Sequence, residues 1–312
     1  MIGAGAWGTA LAIQAARAGS GVTLWARDAA RIAAARISPR LPGTPLPESV
    51  RVTADPADPA DAILLAIPVQ HMRAVAARLP PGGAPLVACA KGVEAGTGRF
   101  PLEILAELHP GRPLAVLTGP NFAHEVAAGQ PAATVLAAAD PAVRARVTPL
   151  LATAAFRIYG NDDPLGAQVG GAAKNVIAIA AGAVIGAGLG ENARAGLITR
   201  GLAELARLTV ALGGRRETVM GLSGLGDLIL TCTGPASRNF SLGLALGRGE
   251  SLADVLAARS AVTEGVATAP ALVARAGDVD LPICRAVAAL LQGRASLEDA
   301  IAWLLSRPRR DE

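Results

Sequence analysis

The sequence predicts an α/β domain built on a mostly parallel sheet, followed by an all-helical domain. The 312-residue chain is 52% hydrophobic, which suffices for two packed cores at roughly 150 residues per domain. Short β-rich runs alternate with stretches of helical spacing up to about residue 160, and helical stretches rich in Ala, Leu and Gly follow. Eighteen of the 22 prolines lie at or before Pro164, so the second half is almost free of the residue that interrupts helices. These observations place the two domains at residues 1–163 and 164–312.

Six runs rich in Val, Ile, Leu and Ala are predicted as the strands of the first domain. They cover residues 21–26, 62–67, 85–90, 114–118, 133–138 and 156–159. Stretches with helical spacing of apolar residues are predicted as helices at residues 9–16, 72–79 and 101–108. This alternation is typical of a parallel sheet wrapped by helices.

The longest apolar run, residues 176–190, is interpreted as a buried helix. Four glycines interrupt it, and it is shorter than the roughly 18 to 20 apolar residues that a membrane span needs, so no stable membrane insertion is expected. The chain opens on a glycine loop and not on a basic segment followed by an apolar one, so a cytoplasmic location is expected.

Charge and side-chain chemistry exclude several classes of function. The net charge of +4 includes one local basic run, at the tail around residues 307–310, so no nucleic-acid partner is expected, whereas small anionic ligands are favoured. Three widely separated cysteines argue against a disulfide framework. Three dispersed histidines do not form a metal-ligand pattern, and we expect no metal.

A glycine loop at the start of the chain indicates a bound dinucleotide. Its residues are Gly3, Gly5, Ala6, Trp7 and Gly8, and a predicted helix and strand follow directly. In such a Rossmann-type loop the first glycine permits the tight turn, the second admits the pyrophosphate, and the third lets helix and strand pack closely. Only two residues precede the loop, where a strand of about five or six is usual. We therefore expect a truncated first strand, and a gene start upstream stays open.

The residue after the second predicted strand bears on the choice of cofactor. Arg27 lies where the adenosine ribose is expected, and Asp28 follows it. A guanidinium there pairs with the 2′-phosphate of NADP, whereas a carboxylate favours the free hydroxyl of NAD. NADP is therefore slightly favoured, and NAD stays open.

Several further motifs follow the loop in a fixed order. They are Leu-Pro-Gly at 41–43, Ala-Lys-Gly at 90–92, Gly-Pro-Asn-Phe-Ala at 119–123, Gly-Gly-Ala-Ala-Lys-Asn at 170–175, Gly-Asp-Leu at 226–228, Ser-Arg-Asn at 237–239 and Glu-Gly-Val at 264–266. Together they resemble the bacterial NAD(P)-dependent glycerol-3-phosphate dehydrogenases along essentially the whole chain. The resemblance implies a fold like that of 6-phosphogluconate dehydrogenase. It also implies reversible hydride transfer between NAD(P)H and dihydroxyacetone phosphate, a phosphorylated triose, supplying glycerol 3-phosphate for phospholipid synthesis.

The resemblance also assigns roles to residues. Lys174 corresponds to the catalytic lysine, which donates a proton to the forming alkoxide and accepts it in reverse, and Asp227 contacts this lysine or the substrate. Thr231 supports that pair. Substrate contacts are implied for Lys91, Gly119, Asn121, Ser237, Arg238 and Asn239, the last three suiting a phosphate. Cofactor contacts beyond the glycine loop and Arg27 are implied for Lys91, Ala123, Arg238, Val262 and Glu264.

Three positions depart from the family's pattern. Gln168 replaces a usual Glu, Asn121 replaces Ser or Thr, and Arg40 replaces a Tyr, which puts the cofactor contacts near Arg40 in doubt. Two other functions stay open at this point: a related two-domain β-hydroxyacid-type dehydrogenase, and a sensor that binds NAD(P) without turnover. The oligomeric state is also open, with a homodimer as one option.

Overall fold

The computed structural model describes residues 1–56, 59–259 and 262–307. Contacts divide the chain into two compact units. The first unit contains Met1–Lys91 and Arg99–Gln168, and the second contains Gly92–Gly98 and Val169–Glu312.

The first unit is an α/β structure. Its strands are β1 (Val22–Trp25), β2 (Val50–Thr53), β3 (Ile63–Leu65), β4 (Leu86–Ala88), β5 (Leu114–Thr118), β6 (Ala132–Ala137) and β7 (Phe156–Asn161). Its helices are α1 (Ala6–Arg17), α2 (Ala29–Ala35), α3 (Val69–Ala76), α4 (Pro101–Leu108), α5 (Ala123–Ala128) and α6 (Pro141–Val147), and a 3₁₀ turn covers Thr148–Leu150.

The residues before the glycine loop join the strands into one sheet. Ile2 forms parallel bridges to Trp25 in β1 and to Leu65 in β3. Its N–H donates to the carbonyl of Leu64 at 2.8 Å, and its carbonyl accepts from Ala66 at 2.9 Å. The resulting order is β2-β1-Ile2-β3-β4-β5-β6-β7, which is doubly wound about Ile2. The predicted first strand is thus reduced to a single bridging residue.

Strand directions confirm the predicted mostly parallel sheet. Every named pairing is parallel except that of β5 with β6, where Val116 faces Ala137. All six predicted strands are present, with ends shifted by a few residues. The sequence analysis missed β2, because only Val50 of its four residues is buried and the strand is too short to show a period of two.

Three helix predictions were wrong at their ends. The helix predicted at residues 9–16 is α1, Ala6–Arg17, which begins three residues earlier. The helix predicted at residues 72–79 is α3, Val69–Ala76, because Pro68 stands at its N-cap and starts it three residues earlier. The helix predicted from the apolar run 176–190 ends at Gly186. Gly188 has φ of +74°, backbone that the interior of an α-helix cannot use, so the chain turns there before the next helix begins at Gly190.

Every named element in the described part of the second unit is a helix, which confirms the predicted all-helical half. Counting α7, which begins in the first unit, these are α7 (Pro164–Gly186), α8 (Gly190–Ala211), α9 (Arg216–Met220), α10 (Asp227–Cys232), α11 (Arg238–Gly247), α12 (Leu252–Ala257), α13 (Glu264–Ala276), α14 (Pro282–Leu291) and α15 (Leu297–Leu305). A π-helical turn at Leu222–Gly226 leads into α10.

Helix α7 is the core helix of the second unit. By length and composition it could span a membrane, but 89% of its apolar window is buried inside the protein. Small residues bring it against α11: a Cβ at Gly182 would lie under 3.0 Å from the carbonyl oxygen of Phe240, and one at Gly243 equally close to that of Ile179. Backbone-to-backbone packing thus fixes α11 on α7, and with it the residues at their N-terminal ends.

Candidate active site

The three loop glycines differ in what surrounds them. Gly3 has φ of +106°, and a Cβ there would lie 2.7 Å from Cγ2 of Ile67. A Cβ at Gly8 would lie under 3.0 Å from the carbonyl oxygen of Gly3. At Gly5, by contrast, φ is −69° and a Cβ would meet no atom of the described residues within 4 Å. The first and third glycines are therefore required by the chain itself, whereas the space at Gly5 is open.

The N-terminus of α1 is ready for an anion at that open space. Gly5 is the N-cap and supplies no side chain, and the first turn, Ala6 to Thr9, has no acidic residue. The amides that begin a helix lack helical acceptors, and the helix dipole adds positive potential there. The loop therefore fits the pyrophosphate of a dinucleotide.

Arg27 is the residue for which the sequence analysis expected a ribose contact, and that contact stays a prediction. It is exposed and follows β1 by two residues, at the carboxyl end of the strand next to the glycine loop. Its neighbour Asp28 pairs with Arg31 at 3.9 Å, and both of those side chains are exposed. The Arg27 guanidinium is accordingly accessible to a cofactor phosphate.

Lys91 and the loop after β5 lie together in the first unit. The Lys91 Nζ donates to the carbonyl of Gly119 at 3.0 Å. Gly119 has φ of +152°, and a Cβ there would lie 3.0 Å from the Cα of Thr134, so glycine is required. This contact brings an ammonium to the carboxyl edge of the sheet, where open α/β folds bind ligands.

The Asn121 side chain holds the loop that follows β5. Its Nδ2 donates to the carbonyls of Pro120 at 2.8 Å and Ala133 at 3.0 Å, which fixes the loop. Its buried Oδ1 has no partner among the described residues. The departure from Ser or Thr therefore places a side-chain amide that holds the loop between β5 and α5. Ala123 follows as the first residue of α5, partly buried.

A buried lysine and aspartate form the polar centre of the second unit. The Lys174 Nζ forms an ion pair with the Asp227 carboxylate, and their side chains are only 8% and 1% exposed. Nζ also donates to the Thr231 Oγ1 at 2.8 Å, and this hydroxyl donates to the carbonyl of Asp227 at 2.6 Å. A buried charge is costly unless it is paired and hydrogen-bonded, so this arrangement keeps the ammonium in a fixed place.

Local structure explains this geometry. Asp227 lies in the first turn of α10 and Thr231 one turn later, so both side chains share a face. A Cβ at Gly170 of α7 would lie 2.6 Å from the carbonyl oxygen of Ser223, so glycine brings α7 close to the π-helical turn before α10. Such turns are frequent at functional sites.

Cys232 lies beside this centre but is not ionised. Burial raises the pKa of its thiol to about 12, although the Lys174 ammonium pulls it down. The cysteine therefore stays neutral and does not compete with Asp227 for the ammonium.

A second polar network joins the N-terminal end of α11 to α7 and α13. The Asn239 Nδ2 donates to the Asn175 Oδ1 at 2.9 Å, and the Asn239 Oδ1 accepts from the N–H of Gly265 at 3.1 Å. Next to it, the exposed Arg238 donates to the carbonyl of Val262 at 2.7 Å. Ser237 is the N-cap, its Oγ accepting from the N–H of Phe240.

The structure therefore groups the predicted residues into sets within each unit. In the first unit, the loop glycines and Arg27 lie at one sheet edge, and Lys91 lies with Gly119. In the second unit, Lys174 lies with Asp227. Asn239 and Arg238 lie with Val262 and with the start of α13, where Glu264 is partly buried. Sequence reasoning missed Asn175, whose position next to the lysine was a usable signal. It also missed Ser38, which is 0% exposed.

The departures from the family's pattern can be located in the structure. The Gln168 side chain accepts from the N–H of Leu102 at 2.8 Å and donates to the carbonyl of Pro164, so it helps to anchor the start of α7. Arg40 is exposed, three residues before Gly43. The described residues contain no group of three His, Cys, Asp or Glu side chains that could hold a metal ion.

The chain is similar to known proteins along most of its length. The family models described as NAD-dependent glycerol-3-phosphate dehydrogenase N-terminus and C-terminus match residues 1–144 and 163–302. A glycerol-3-phosphate dehydrogenase (NAD(P)+) of Acidiphilium cryptum is 58% identical, over 100% of this chain and 97% of the relative. One of Gluconobacter oxydans is 54% identical, over 99% and 96%. The crystal structure of glycerol-3-phosphate dehydrogenase from Coxiella burnetii superposes with a TM-score of 0.93 at 36% identity, covering 98% of both chains.

Proposed function

This chain belongs to the NAD-dependent glycerol-3-phosphate dehydrogenase family, and from that premise we propose how its own residues carry out the reaction. The enzyme is an NAD(P)-dependent oxidoreductase that interconverts glycerol 3-phosphate and dihydroxyacetone phosphate. This activity replaces the two alternatives of a dehydrogenase for a carboxylate substrate and a sensor without turnover. The observation that carries the proposal is the buried Lys174 ammonium, held by Asp227 and Thr231.

Lys174 is the proton donor to the C2 oxygen of dihydroxyacetone phosphate. When bound, the nicotinamide supplies the hydride, so the residues have to stabilise the developing alkoxide and protonate it. Asp227 and Thr231 fix the position of Nζ, and an ammonium in a dry site polarises a carbonyl strongly. In the reverse direction the neutral amine takes the hydroxyl proton.

The first unit holds the cofactor. Gly3, Gly5 and Gly8 with the amides of Ala6 and Trp7 bind the pyrophosphate, and the open space at Gly5 supports this assignment. Arg27 contacts the adenosine ribose and favours NADP over NAD, because its exposed fork suits a 2′-phosphate. Further cofactor contacts come from Lys91, Ala123, Arg238, Val262 and Glu264.

Two groups of residues hold the substrate: one binds its phosphate and the other contacts its triose part. Ser237, Arg238 and Asn239 bind the phosphate, where charged hydrogen bonds contribute roughly 1.5 to 3 kcal/mol each. Lys91, Gly119 and Asn121 contact the triose, close to the hydrogen bond from the Lys91 Nζ to the carbonyl of Gly119.

At the level of the whole chain, we propose residues 1–163 as the cofactor domain and residues 164–312 as the substrate domain. The compact units differ from this division, since residues 92–98 belong to the second unit and residues 164–168 to the first. The enzyme works in the cytoplasm on a phosphorylated triose, without nucleic acid, metal or membrane insertion, and supplies glycerol 3-phosphate to phospholipid synthesis. A homodimer is compatible with this proposal.

One assay tests the proposal. Oxidation of NADPH and of NADH is followed by absorbance with dihydroxyacetone phosphate, using wild type, Lys174→Ala and, as a control, Arg207→Ala. Arg207 is an exposed cation of the second unit that donates to the carbonyl of Asp280 at 3.0 Å. We expect kcat to fall by about 10² to 10⁴ in Lys174→Ala and to stay unchanged in the control.

Two results would contradict the proposal. Folded wild-type protein without turnover on either cofactor would refute the activity. Turnover by Lys174→Ala at the control's rate would leave the activity standing but remove Lys174 from its role.

A further inference from the structure

Ser38 makes a buried hydrogen bond to the glycine loop. Its side chain is 0% exposed, and its Oγ donates to the carbonyl of Ala4 at 2.7 Å, across 34 residues of sequence. Ala4 lies between Gly3 and Gly5, so the bond holds the middle of the loop.

The segment that contains Ser38 fixes the position of this hydroxyl. The carbonyl of Ser38 accepts from the N–H of Leu41 at 3.0 Å, and the N–H of Leu46 donates to the carbonyl of Arg36 at 2.7 Å. Leu41 and Leu46 are only 5% and 4% exposed, so apolar side chains anchor the segment in the core. The hydroxyl is therefore held in place before any ligand arrives.

The bond also sets the direction of one N–H group. The Ala4–Gly5 peptide is trans, since the described chain has no cis peptide bond, so its carbonyl and the Gly5 N–H point to opposite sides of the peptide plane. A donor on the carbonyl side consequently holds the Gly5 N–H on the other side. Gly5 is also the glycine whose surroundings are open.

We propose that Ser38 is a positioning residue for the cofactor: its hydroxyl orients the Ala4–Gly5 peptide so that the Gly5 N–H is presented to the pyrophosphate. This inference rests on the proposed NAD(P) function of the glycine loop. The Ser38 hydroxyl donates to the loop and accepts from the N–H of Arg40 at 3.3 Å, so it acts on the cofactor through the loop. Its effect on binding is preorganisation, because a peptide that is free to rotate must be ordered again when the anion binds.

The chain offers a matched control. The Ser20 Oγ donates to the carbonyl of Leu150 at 2.8 Å, also in the first unit. Ser20→Ala removes the same hydroxyl and the same hydroxyl-to-carbonyl bond as Ser38→Ala, at a partly buried residue whose bond goes to Leu150 and not to the glycine loop, whereas Ser38→Ala also removes the acceptor of the Arg40 N–H.

The experiment compares wild type, Ser38→Ala and Ser20→Ala. Cofactor binding is measured as the Kd of NADPH by fluorescence titration without substrate, and stability as the melting temperature. Steady-state KM values for NADPH and dihydroxyacetone phosphate are measured as well. For Ser38→Ala we expect the Kd and KM of NADPH to rise about tenfold, with the KM of dihydroxyacetone phosphate within about twofold of wild type. Ser20→Ala should change neither.

The outcomes separate this inference from the proposed function. Wild type that does not bind NADPH or NADH refutes the proposed function. Wild type that binds, with Ser38→Ala binding equally well, refutes only the role of Ser38, and so does an equal rise in both KM values. If Ser38→Ala melts well below Ser20→Ala, Ser38→Cys replaces it. Because a thiol is a weak hydrogen-bond donor, Ser38→Cys should bind NADPH with a Kd above that of wild type. If Ser38→Cys binds NADPH with the wild-type Kd, the inference is overturned.

Discussion

Replacing Gly5 by alanine should weaken cofactor binding without harming the fold. The added methyl meets no atom of the described residues within 4 Å, and φ of −69° is ordinary for alanine. Alanine is a poorer N-cap than glycine, which destabilises the folded protein by up to about 1 kcal/mol. Replacing a glycine also lowers the conformational entropy of the unfolded chain, which stabilises the folded protein by about 0.4 to 1 kcal/mol. The free energy of unfolding should therefore change by less than about 1 kcal/mol.

Cofactor binding should respond much more strongly. The pyrophosphate has to approach the backbone where the new methyl stands, and overpacking of a close contact typically costs about 1 to 3 kcal/mol. This corresponds to a rise in Kd of about 5- to 150-fold. Gly8→Ala is the opposite case: its Cβ would lie under 3.0 Å from the carbonyl oxygen of Gly3, so the cost falls on the folded chain itself.

Calorimetry and fluorescence titration with NADPH distinguish the two variants. Gly5→Ala should melt within a few degrees of wild type and bind NADPH poorly, whereas Gly8→Ala should melt clearly lower. If Gly5→Ala binds as tightly as wild type, the pyrophosphate does not approach Gly5. If it unfolds as readily as Gly8→Ala, the reasoning about open space is wrong.

Four further predictions concern other sites. Arg27→Ala should raise the KM of NADPH about tenfold or more and that of NADH little; equal effects would exclude a 2′-phosphate contact. Lys174→Arg keeps the charge but not a transferable proton, so kcat should fall about 10²-fold or more, and near-wild-type kcat would exclude proton transfer from this position. Hydrogen bonds from Ser296 lower the pKa of Asp299 in the folded protein. These bonds therefore stabilise the folded protein at any pH above the usual aspartate pKa, and this stabilisation is lost as the pH falls through the lowered pKa of Asp299. Ser296→Ala should raise that pKa in an NMR titration, and an unchanged value would contradict the assignment. Burial raises the pKa of the Cys232 thiol to about 12, so a thiol reagent at mildly alkaline pH should label it only after denaturation; rapid labelling of the folded protein would show that it is accessible.

Much of the fold could be predicted because its core strands are short, continuous apolar runs. Strands β3 and β4 are buried at every residue and therefore stand out in the sequence. Strand β2 does not, since it is an edge strand of four residues. The end of α7 was misjudged because hydrophobicity continues past Gly186, whereas the helix stops where the chain needs the positive φ of Gly188.

The site was predicted as a set of residues but not as a set of contacts. The three loop glycines look alike in the sequence, and the structure shows that, of these three, Gly5 is the one that faces open space. The bond from Ser38 to Ala4 joins residues 34 apart, and no local periodicity reports such a pair. Likewise, a sequence motif pairs Asn239 with its neighbour Arg238, whereas its hydrogen bonds go to Asn175 and Gly265.

The two lysines of the sequence both lie among the proposed site residues. The chain has 29 lysines and arginines together, yet only Lys91 and Lys174 are lysine. Arginine serves everywhere else, in ion pairs and on exposed surfaces, but a guanidinium stays protonated at any physiological pH and cannot pass on a proton. An ammonium can, so retaining lysine at 174 follows if that residue exchanges a proton with substrate. The Lys91 Nζ donates to the carbonyl oxygen of Gly119 at 3.0 Å. A compact ammonium with three rotatable donors suits one such carbonyl, whereas a planar fork is directional and suits paired acceptors, which explains lysine at the second position as well.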